Sequence, residues 1–196
     1  MEMLLLEPPM LEKGLALMQA LKQRRSVKAF SEKSLALSTL SELLWAANGV
    51  NREDGRRTVP AARNIHAVDL YVMLSEGVYL YDPIKHELVP IVSGDFRNVA
   101  GRQEFVATAP VNLVYVADFD HFKDFCGPDG QAVPEIEIHT WVTIEAGSQA
   151  QNVSLYCASE GLGSTVRASF DAKRLGEVLQ LRPIQRILLA QTIGYP

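Results

Sequence analysis

The chain has 196 residues, of which 47% are hydrophobic, 8% aromatic and 21% charged, a composition typical of a globular protein with one well-buried core. Lys and Arg number 19 while Asp and Glu number 23, giving a formal net charge of −4, which argues against non-specific nucleic-acid binding because that needs a broad basic surface. We therefore expect a single domain over residues 1–196, with no nucleic acid as a partner.

Cysteine and histidine spacing offers no sign of a disulfide framework or a metal site. The two cysteines, Cys126 and Cys157, form no CxxC, and the four histidines form no HExxH. The apolar stretch Met3 to Leu6 is too short for a secretory signal, and no stretch reaches the roughly 20 apolar residues that span a bilayer. We expect a cytoplasmic protein that does not enter membranes, although a signal peptide removed earlier would leave no trace.

Two amphipathic helices are predicted near the start of the chain. Apolar residues at helical spacing predict the first over residues 11–23. The second starts at Ser38, with Glu42 close to the capping-box position, and ends near Asn48-Gly49 because glycine readily adopts the left-handed conformation that stops helices. Residues 51–64 are polar and contain Gly and Pro, so they predict a long loop with a function.

The later elements do not alternate regularly. Strands are predicted where short β-rich or continuous apolar runs occur, at residues 68–74, 77–81, 87–92, 111–117 and 186–194. Helices are predicted over 96–106, over 135–159 and from Asp171 to before Pro183, and a Gly/Pro loop over 126–134. Without regular strand–helix alternation, the pattern favours an α+β layered fold over a doubly wound one.

A basic motif, residues 24–28, follows the first helix. Arg24, Arg25 and Lys28 supply three cations and Ser26 supplies a hydroxyl, a set of donors that can surround a phosphate. The alternative is a solvated basic helix end that complements the helix dipole.

A proline motif, residues 57–64, precedes the predicted strand at 68–74. Pro60 restricts the backbone, Ala61 and Ala62 leave room for a flat ligand, and Asn64 offers both a donor and an acceptor to the edge of a heterocycle. The alternative is a plain loop that enters a sheet.

A glycine motif, residues 161–171, follows the long predicted helix. Gly161 and Gly163 end that helix, small residues follow, and Asp171 can cap the next helix. Small residues before a helix can expose backbone N–H groups to a ligand atom that becomes negative during a reaction. The GxGxxG spacing of a dinucleotide fingerprint is absent.

In this order and at these separations, the three motifs resemble the FMN-dependent nitroreductase family, and particularly its short SagB-like branch, over about residues 15–196. The resemblance implies an α+β nitroreductase-like layered fold, in which helices, one of them long and central, surround a mixed or antiparallel sheet. It also implies a homodimer with two FMN sites at the subunit interface.

The resemblance also implies roles for individual residues. The basic motif would hold the phosphate end of FMN, Asn64 would lie near the isoalloxazine, and the N–H groups of Ala168 or Ser169 would donate to flavin N5. Arg63 and Arg167 are candidates for a cation near flavin N1 and O2. No side chain is expected to act as a nucleophile. The implied FMN-binding residues are Arg24, Arg25, Ser26, Lys28, Pro60, Ala61, Ala62, Arg63, Asn64, Ala168 and Ser169.

This sequence departs from the family pattern at three places. Ala61 and Ala62 replace the two serines of the proline motif, His66 replaces a frequent glutamine, and the chain stops at Pro196 where many relatives continue to a basic residue. We therefore expect either weaker FMN binding or a phosphate held by the basic motif alone.

The activity implied by the resemblance is a ping-pong transfer of electrons from NADH or NADPH, through FMN, to a small organic acceptor of nitroaromatic or quinone type. Two alternatives stay open. One is a flavin-binding protein without turnover, and the other is a SagB-like dehydrogenase of peptide azolines.

Overall fold

An antiparallel sheet organises the chain in the computed structural model, which describes residues 1–128 and 130–196. Across the sheet the order is β1-β4-β3-β2-β5-β7-β6, and each pair of neighbours is antiparallel. The strands are β1 (Leu4–Leu5), β2 (Val68–Met73), β3 (Gly77–Asp82), β4 (Glu87–Ser93), β5 (Val111–Asp118), β6 (Gly163–Arg167) and β7 (Gln185–Gly194). Asp129, in the predicted Gly/Pro loop, lies outside the described residues.

Helices cover both faces of the sheet. The α-helices are α1 (Leu17–Gln23), α2 (Leu37–Asn48), α3 (Phe105–Thr108), α4 (Glu135–Ser159) and α5 (Ala172–Val178), and short 3-10 helices cover Ala62–Asn64, Arg97–Val99 and Phe119–Phe122. The long helix α4 has the predicted bounds, and Gly161, with φ of +70°, follows its end as predicted.

The central strand β5 explains why the fold has two core layers. All eight of its residues are buried, and successive side chains point to opposite faces of a strand. Leu113 and Tyr115 pack in the layer with α2 and α4, while Val114 and Val116 pack in the layer that includes Leu175 of α5. The structure therefore confirms the predicted α+β layered fold, and its sheet is antiparallel.

The predicted first helix is too long at its N-terminus. Gly14 has φ of +82°, outside the helical region, and the next backbone N–H, of Leu15, donates to Ser159 Oγ. This contact with the end of α4 holds the segment away from a helix, so α1 starts only at Leu17.

The predicted capping box at the start of α2 is wrong. The N-cap is Ala36, without a side-chain cap. Glu42 points elsewhere: its carboxylate accepts a hydrogen bond of 2.7 Å from Tyr156 Oη and pairs with Lys13. These tertiary partners outweigh the local cap.

The predicted helix over 96–106 is two separate pieces, a 3-10 turn and α3. Between them, the backbone at Gly101 passes so close to Arg167 that an added Cβ would lie 1.8 Å from the guanidinium Nη1. The Ala100 carbonyl accepts from the same guanidinium at 2.8 Å, so this contact determines the path of the chain where a continuous helix was predicted.

The glycine motif is also more ordered than predicted. Its first part is strand β6, paired with β7 from Gly163↔Gly194 to Arg167↔Ala190, so only residues 168–171 lie between the strand and α5. The prediction for Asp171 is confirmed, because its carboxylate caps α5 by accepting from the backbone N–H groups of Lys173 and Arg174 at 3.1 Å.

Candidate functional site

The basic motif runs beside the edge strand β6. Ser26 forms a parallel bridge with Ser164, and the Val27 N–H donates to the Ser164 carbonyl at 3.1 Å. The Thr165 hydroxyl in turn donates to the Val27 carbonyl. Gly163 permits this approach, since an added Cβ would lie 2.8 Å from Val27 Cβ. The structure thus joins the first and third predicted motifs.

A cleft of about 430 Å³ opens beside this junction. Its walls include three cations, Lys22, Arg24 and Arg25. It is also lined by Gly161, by Ser164 of β6, and by Ser154 and Ala158 of α4. Within residues 1–128 and 130–196, none of these cations forms an ion pair with a carboxylate, and neither does Lys28. An unpaired cluster of cations facing a cleft favours an anionic group.

Two exposed backbone N–H groups follow β6. Ala168 and Ser169 are exposed, and their amides have no hydrogen-bond acceptor in the part of the chain that the structure describes. The Ser169 carbonyl is held in place, because it accepts a hydrogen bond from the Arg102 N–H at 3.3 Å. The pair is therefore free to donate to a ligand while its backbone is held from one side.

Arg167 lies immediately before these amides, and its side chain is directed into the protein. It donates to the Ala100 carbonyl at 2.8 Å, to Asn112 Oδ1 at 3.1 Å and to Thr192 Oγ1 at 2.6 Å. The residue is only 6% exposed, and this burial lowers the pKa of the guanidinium to about 10. Direct contact with a ligand, as considered for the N1 and O2 positions, is disfavoured by these internal contacts.

The proline motif is anchored to the end of α2. The Thr58 N–H donates to the Gly49 carbonyl at 2.9 Å. Arg63 and Asn64 then adopt consecutive left-handed conformations, with φ of 55° and 60°, which are uncommon for residues other than glycine. Both side chains are exposed. Such strained backbone occurs often at ligand-binding sites.

His66 ends this segment against α4. Its Nδ1 lies 3.3 Å from Glu145 Oε1, and Glu145 Oε2 accepts from the Ala67 N–H at 3.3 Å. Since a carboxylate only accepts, Nδ1 carries the proton. Burial also lowers the pKa of the neighbouring Arg57 guanidinium.

The segment that follows the proline motif and the basic cleft meet α4 at different heights. His66, just after the proline motif, contacts Glu145, and Ser154 lines the cleft. With a rise of 1.5 Å per residue, nine residues separate these points by about 14 Å along the helix axis. Within one chain, the structure therefore brings the basic and glycine motifs together, while the segment that follows the proline motif contacts α4 at a different height.

Sequence analysis missed two parts of this region. No sequence pattern marked Glu145 as a buried residue, because a single acid in a long helix is usually solvated. In the structure it is 2% exposed. Lys22 was hidden in the last turn of α1, where a basic residue ordinarily complements the helix dipole.

Neither a metal cluster nor a transmembrane helix is found in the part of the chain that the structure describes. No group of three or more His, Cys, Asp and Glu side chains there is arranged to hold a metal ion. Its helices also lack the combination of length and apolar content needed to cross a bilayer. Cys157 is buried, and burial raises the pKa of its thiol to about 12, so the thiol packs as a small apolar group and is not a reactive thiolate.

Comparisons with known proteins identify the family to which the chain is similar. The model of the nitroreductase family matches residues 21–195. A protein described as a nitroreductase, MJ1384 of Methanocaldococcus jannaschii, is 32% identical over 177 residues, which are 85% of each chain.

Solved structures extend the comparison. A protein of Ralstonia eutropha JMP134 described as a nitroreductase has a TM-score of 0.90 and 38% identity, covering 98% of this chain and 89% of its own. The NADPH:FMN oxidoreductase of Vibrio harveyi, solved with NAD+, shares the fold with a TM-score of 0.67 and 19% identity, covering 92% of this chain and 68% of its own. Given the match over residues 21–195, the chain belongs to the nitroreductase family, and it is an oxidoreductase.

Proposed function

We propose that this chain is an FMN-dependent oxidoreductase that uses NADH or NADPH to reduce a small organic acceptor of nitroaromatic or quinone type. The observation that carries the proposal is the cleft at the basic motif, lined by Lys22, Arg24 and Arg25, which have no carboxylate partners among the described residues. Family membership supports a redox role, and the fold is shared with an NADPH:FMN oxidoreductase. In this proposal residues 1–196 form one FMN-binding domain.

The donors of the basic motif, of which Arg24 and Arg25 line the cleft, fit the phosphate end of FMN. Arg24, Arg25 and Lys28 are exposed at the end of α1 and along β6, and each offers a charge-assisted hydrogen bond to a phosphate oxygen. Ser26 adds a hydroxyl from the same segment. Ala61 and Ala62 lack the hydroxyl groups that the family pattern has there, so in this proposal the basic motif holds the phosphate alone.

The exposed amides of Ala168 and Ser169 would hold the redox-active edge of the ring. Bound FMN would supply the hydride chemistry, which no protein side chain can perform. The protein would fix the ring by these N–H donors, and Asn64 would contact the heterocycle. No nucleophilic side chain and no metal ion are needed.

A homodimer would explain the position of the proline motif. His66, just after this motif, meets α4 about 14 Å along the helix axis from the basic cleft, and a second copy could bring its own proline motif to the cleft. Exposed apolar side chains on α1 and α4 are available for such an interface, namely Leu17, Met18, Leu21 and Ile144. We include two FMN sites at a subunit interface in the proposal, as the resemblance implies.

The test is anaerobic reduction of the FMN-loaded protein, followed by absorbance. We expect NADH or NADPH to bleach the flavin bands and a quinone or nitroarene to restore them. If the bands persist with both nicotinamides, the flavin-binding role without turnover replaces the proposal. If a peptide azoline is oxidised while neither nicotinamide reacts, the dehydrogenase alternative replaces it.

A further inference from the structure

Arg167 is a buried cation without a counter-ion. It is 6% exposed, and no carboxylate lies within ion-pair distance of it in residues 1–128 and 130–196. Its Nε is buried and has no hydrogen-bond partner among the residues that the structure describes. Buried charges are costly and are normally paired, so this charge calls for a functional explanation.

Its partners are neutral and come from several parts of the fold. The guanidinium donates to Asn112 on β5, to Thr192 on β7 and to the Ala100 carbonyl. Thr192 Oγ1 also donates to Asn112 Oδ1 at 2.6 Å. The positive charge is therefore held rigidly but is not neutralised.

The same contacts hold the segment that carries the free amides. Arg167 fixes Ala100, and two residues later the Arg102 N–H donates to the Ser169 carbonyl. Because Gly101 lies against the guanidinium, the loop and the segment after β6 are held together. The backbone of Ala168 and Ser169 is therefore held on one side by the contact between Arg167 and Ala100, and on the other by the hydrogen bond between Arg102 and Ser169.

We propose that Arg167 is a positioning residue that holds the Ala168 and Ser169 amides in place and, through its unpaired charge, favours a negatively charged ligand group beside them. This inference rests on the proposed function, in which that group is the FMN ring. The ring gains negative charge on reduction, so Arg167 would make the reduced cofactor bind more tightly relative to the oxidised one, and the midpoint potential would rise accordingly.

The charge is tested by Asn112→Asp, which places a carboxylate where the guanidinium now meets an amide oxygen. Asn112 Nδ2 also donates to the Val106 carbonyl at 2.9 Å, and this bond is lost too, so Asn112→Leu is the matched control that loses it without adding charge. We expect Asn112→Asp to lower the affinity for reduced relative to oxidised FMN about tenfold against Asn112→Leu, because the added negative charge offsets the attraction of the guanidinium for a negatively charged ring. For this two-electron couple, tenfold corresponds to about 30 mV lower potential.

The positioning role is tested by Arg167→Lys and Arg167→Met. Lysine keeps the charge but cannot reproduce the guanidinium fork, so both FMN affinities should fall while their ratio stays near that of the wild type. Methionine should lower both affinities and the ratio. In the flavin-free protein, NMR order parameters of the Ala168 and Ser169 amides should fall in Arg167→Met, with the rest of the sheet unchanged.

The outcomes separate this inference from the proposed function. A wild-type protein that binds no FMN contradicts the proposed function itself. FMN that binds with an equal midpoint potential in Asn112→Asp and Asn112→Leu, together with unchanged Ala168 and Ser169 order parameters in Arg167→Met, overturns the inference alone. If either Asn112 variant fails to fold, the difference between Arg167→Lys and Arg167→Met in the affinity ratio decides the charge effect.

Discussion

Cations in this protein fall into two groups with different surroundings. Arg97 and Arg182 each pair with an aspartate, at 2.7 Å from Asp95 Oδ2 for Arg97. The cations of the basic motif have no such partner among the described residues. Exposed ion pairs contribute little to stability, whereas cations without a carboxylate remain available to a ligand. In the proposed function, the cations of the basic motif serve FMN binding.

Removing two of these cations should weaken FMN binding without unfolding the chain. We expect Arg24→Ala combined with Lys28→Ala to raise the FMN dissociation constant about a hundredfold, since a hydrogen bond to a charged group contributes roughly 1.5–3 kcal/mol. Fluorescence titration measures this. Lys173→Ala with Arg174→Ala, which removes the same charges from exposed positions of α5, is the control. Equal affinity in both double variants would contradict the phosphate assignment.

Asp69 should make the folded state less stable as pH rises through the mildly acidic range. Burial, followed by the nearby Asp118 charge, raises the pKa of its carboxyl to about 6, against about 3.9 in an unfolded chain. Between these values the folded state keeps the proton and the unfolded state loses it, so the free energy of unfolding falls with rising pH by roughly 3 kcal/mol at most.

The comparison with Asp69→Asn isolates this group. Urea denaturation at several pH values should show the wild type losing stability relative to Asp69→Asn between about pH 4 and pH 6, with a constant difference above that range. A parallel pH dependence of the two proteins would show that Asp69 does not titrate as described.

At the scale of elements, α5 depends on its cap. The Asp171 carboxylate accepts from two backbone N–H groups at 3.1 Å, and α5 has only seven residues. We expect Asp171→Ala to lower the free energy of unfolding by about 1 kcal/mol, and Asp171→Asn, which caps almost as well, to cost much less. Urea denaturation of the three proteins measures both. An equal loss in the two variants would mean that the charge, not the cap, stabilises the helix.

Elements were predictable where the local pattern is long. Helix α4 has 25 residues, and β5 is an apolar run. In patterns of this length, one atypical residue does not change the predicted type of element. Strand β6 was missed because it is a short edge strand defined by its pairing with β7. The first helix was predicted too long because the Leu15 N–H is bound by Ser159, which lies 144 residues away in sequence. The spacing of apolar residues within the segment carries no information about such a distant contact.

The same reasoning separates the parts of the candidate site. The basic motif was visible because its donors are contiguous in sequence. The surroundings of Arg167 were not, since Thr192 and Asn112 lie 25 and 55 positions away from it in sequence. Which cations are paired and which are free is therefore a property of the tertiary structure.

At the scale of the whole molecule, the proposed homodimer predicts that flavin binding depends on protein concentration. A site completed by a second copy is lost when the dimer dissociates. Serial dilution of the FMN-loaded protein should release flavin in parallel with the change from dimer to monomer, measured by flavin fluorescence and by analytical ultracentrifugation. A monomer that retains FMN would contradict the shared site.

The most direct measurement of the central claim is a titration of the flavin-free protein with FMN, followed by flavin fluorescence and visible absorbance. The cleft of unpaired cations predicts saturable binding of one FMN per chain, weakened by the Arg24 and Lys28 substitutions. A protein that stays colourless and leaves the fluorescence of added FMN unchanged would contradict the proposed function.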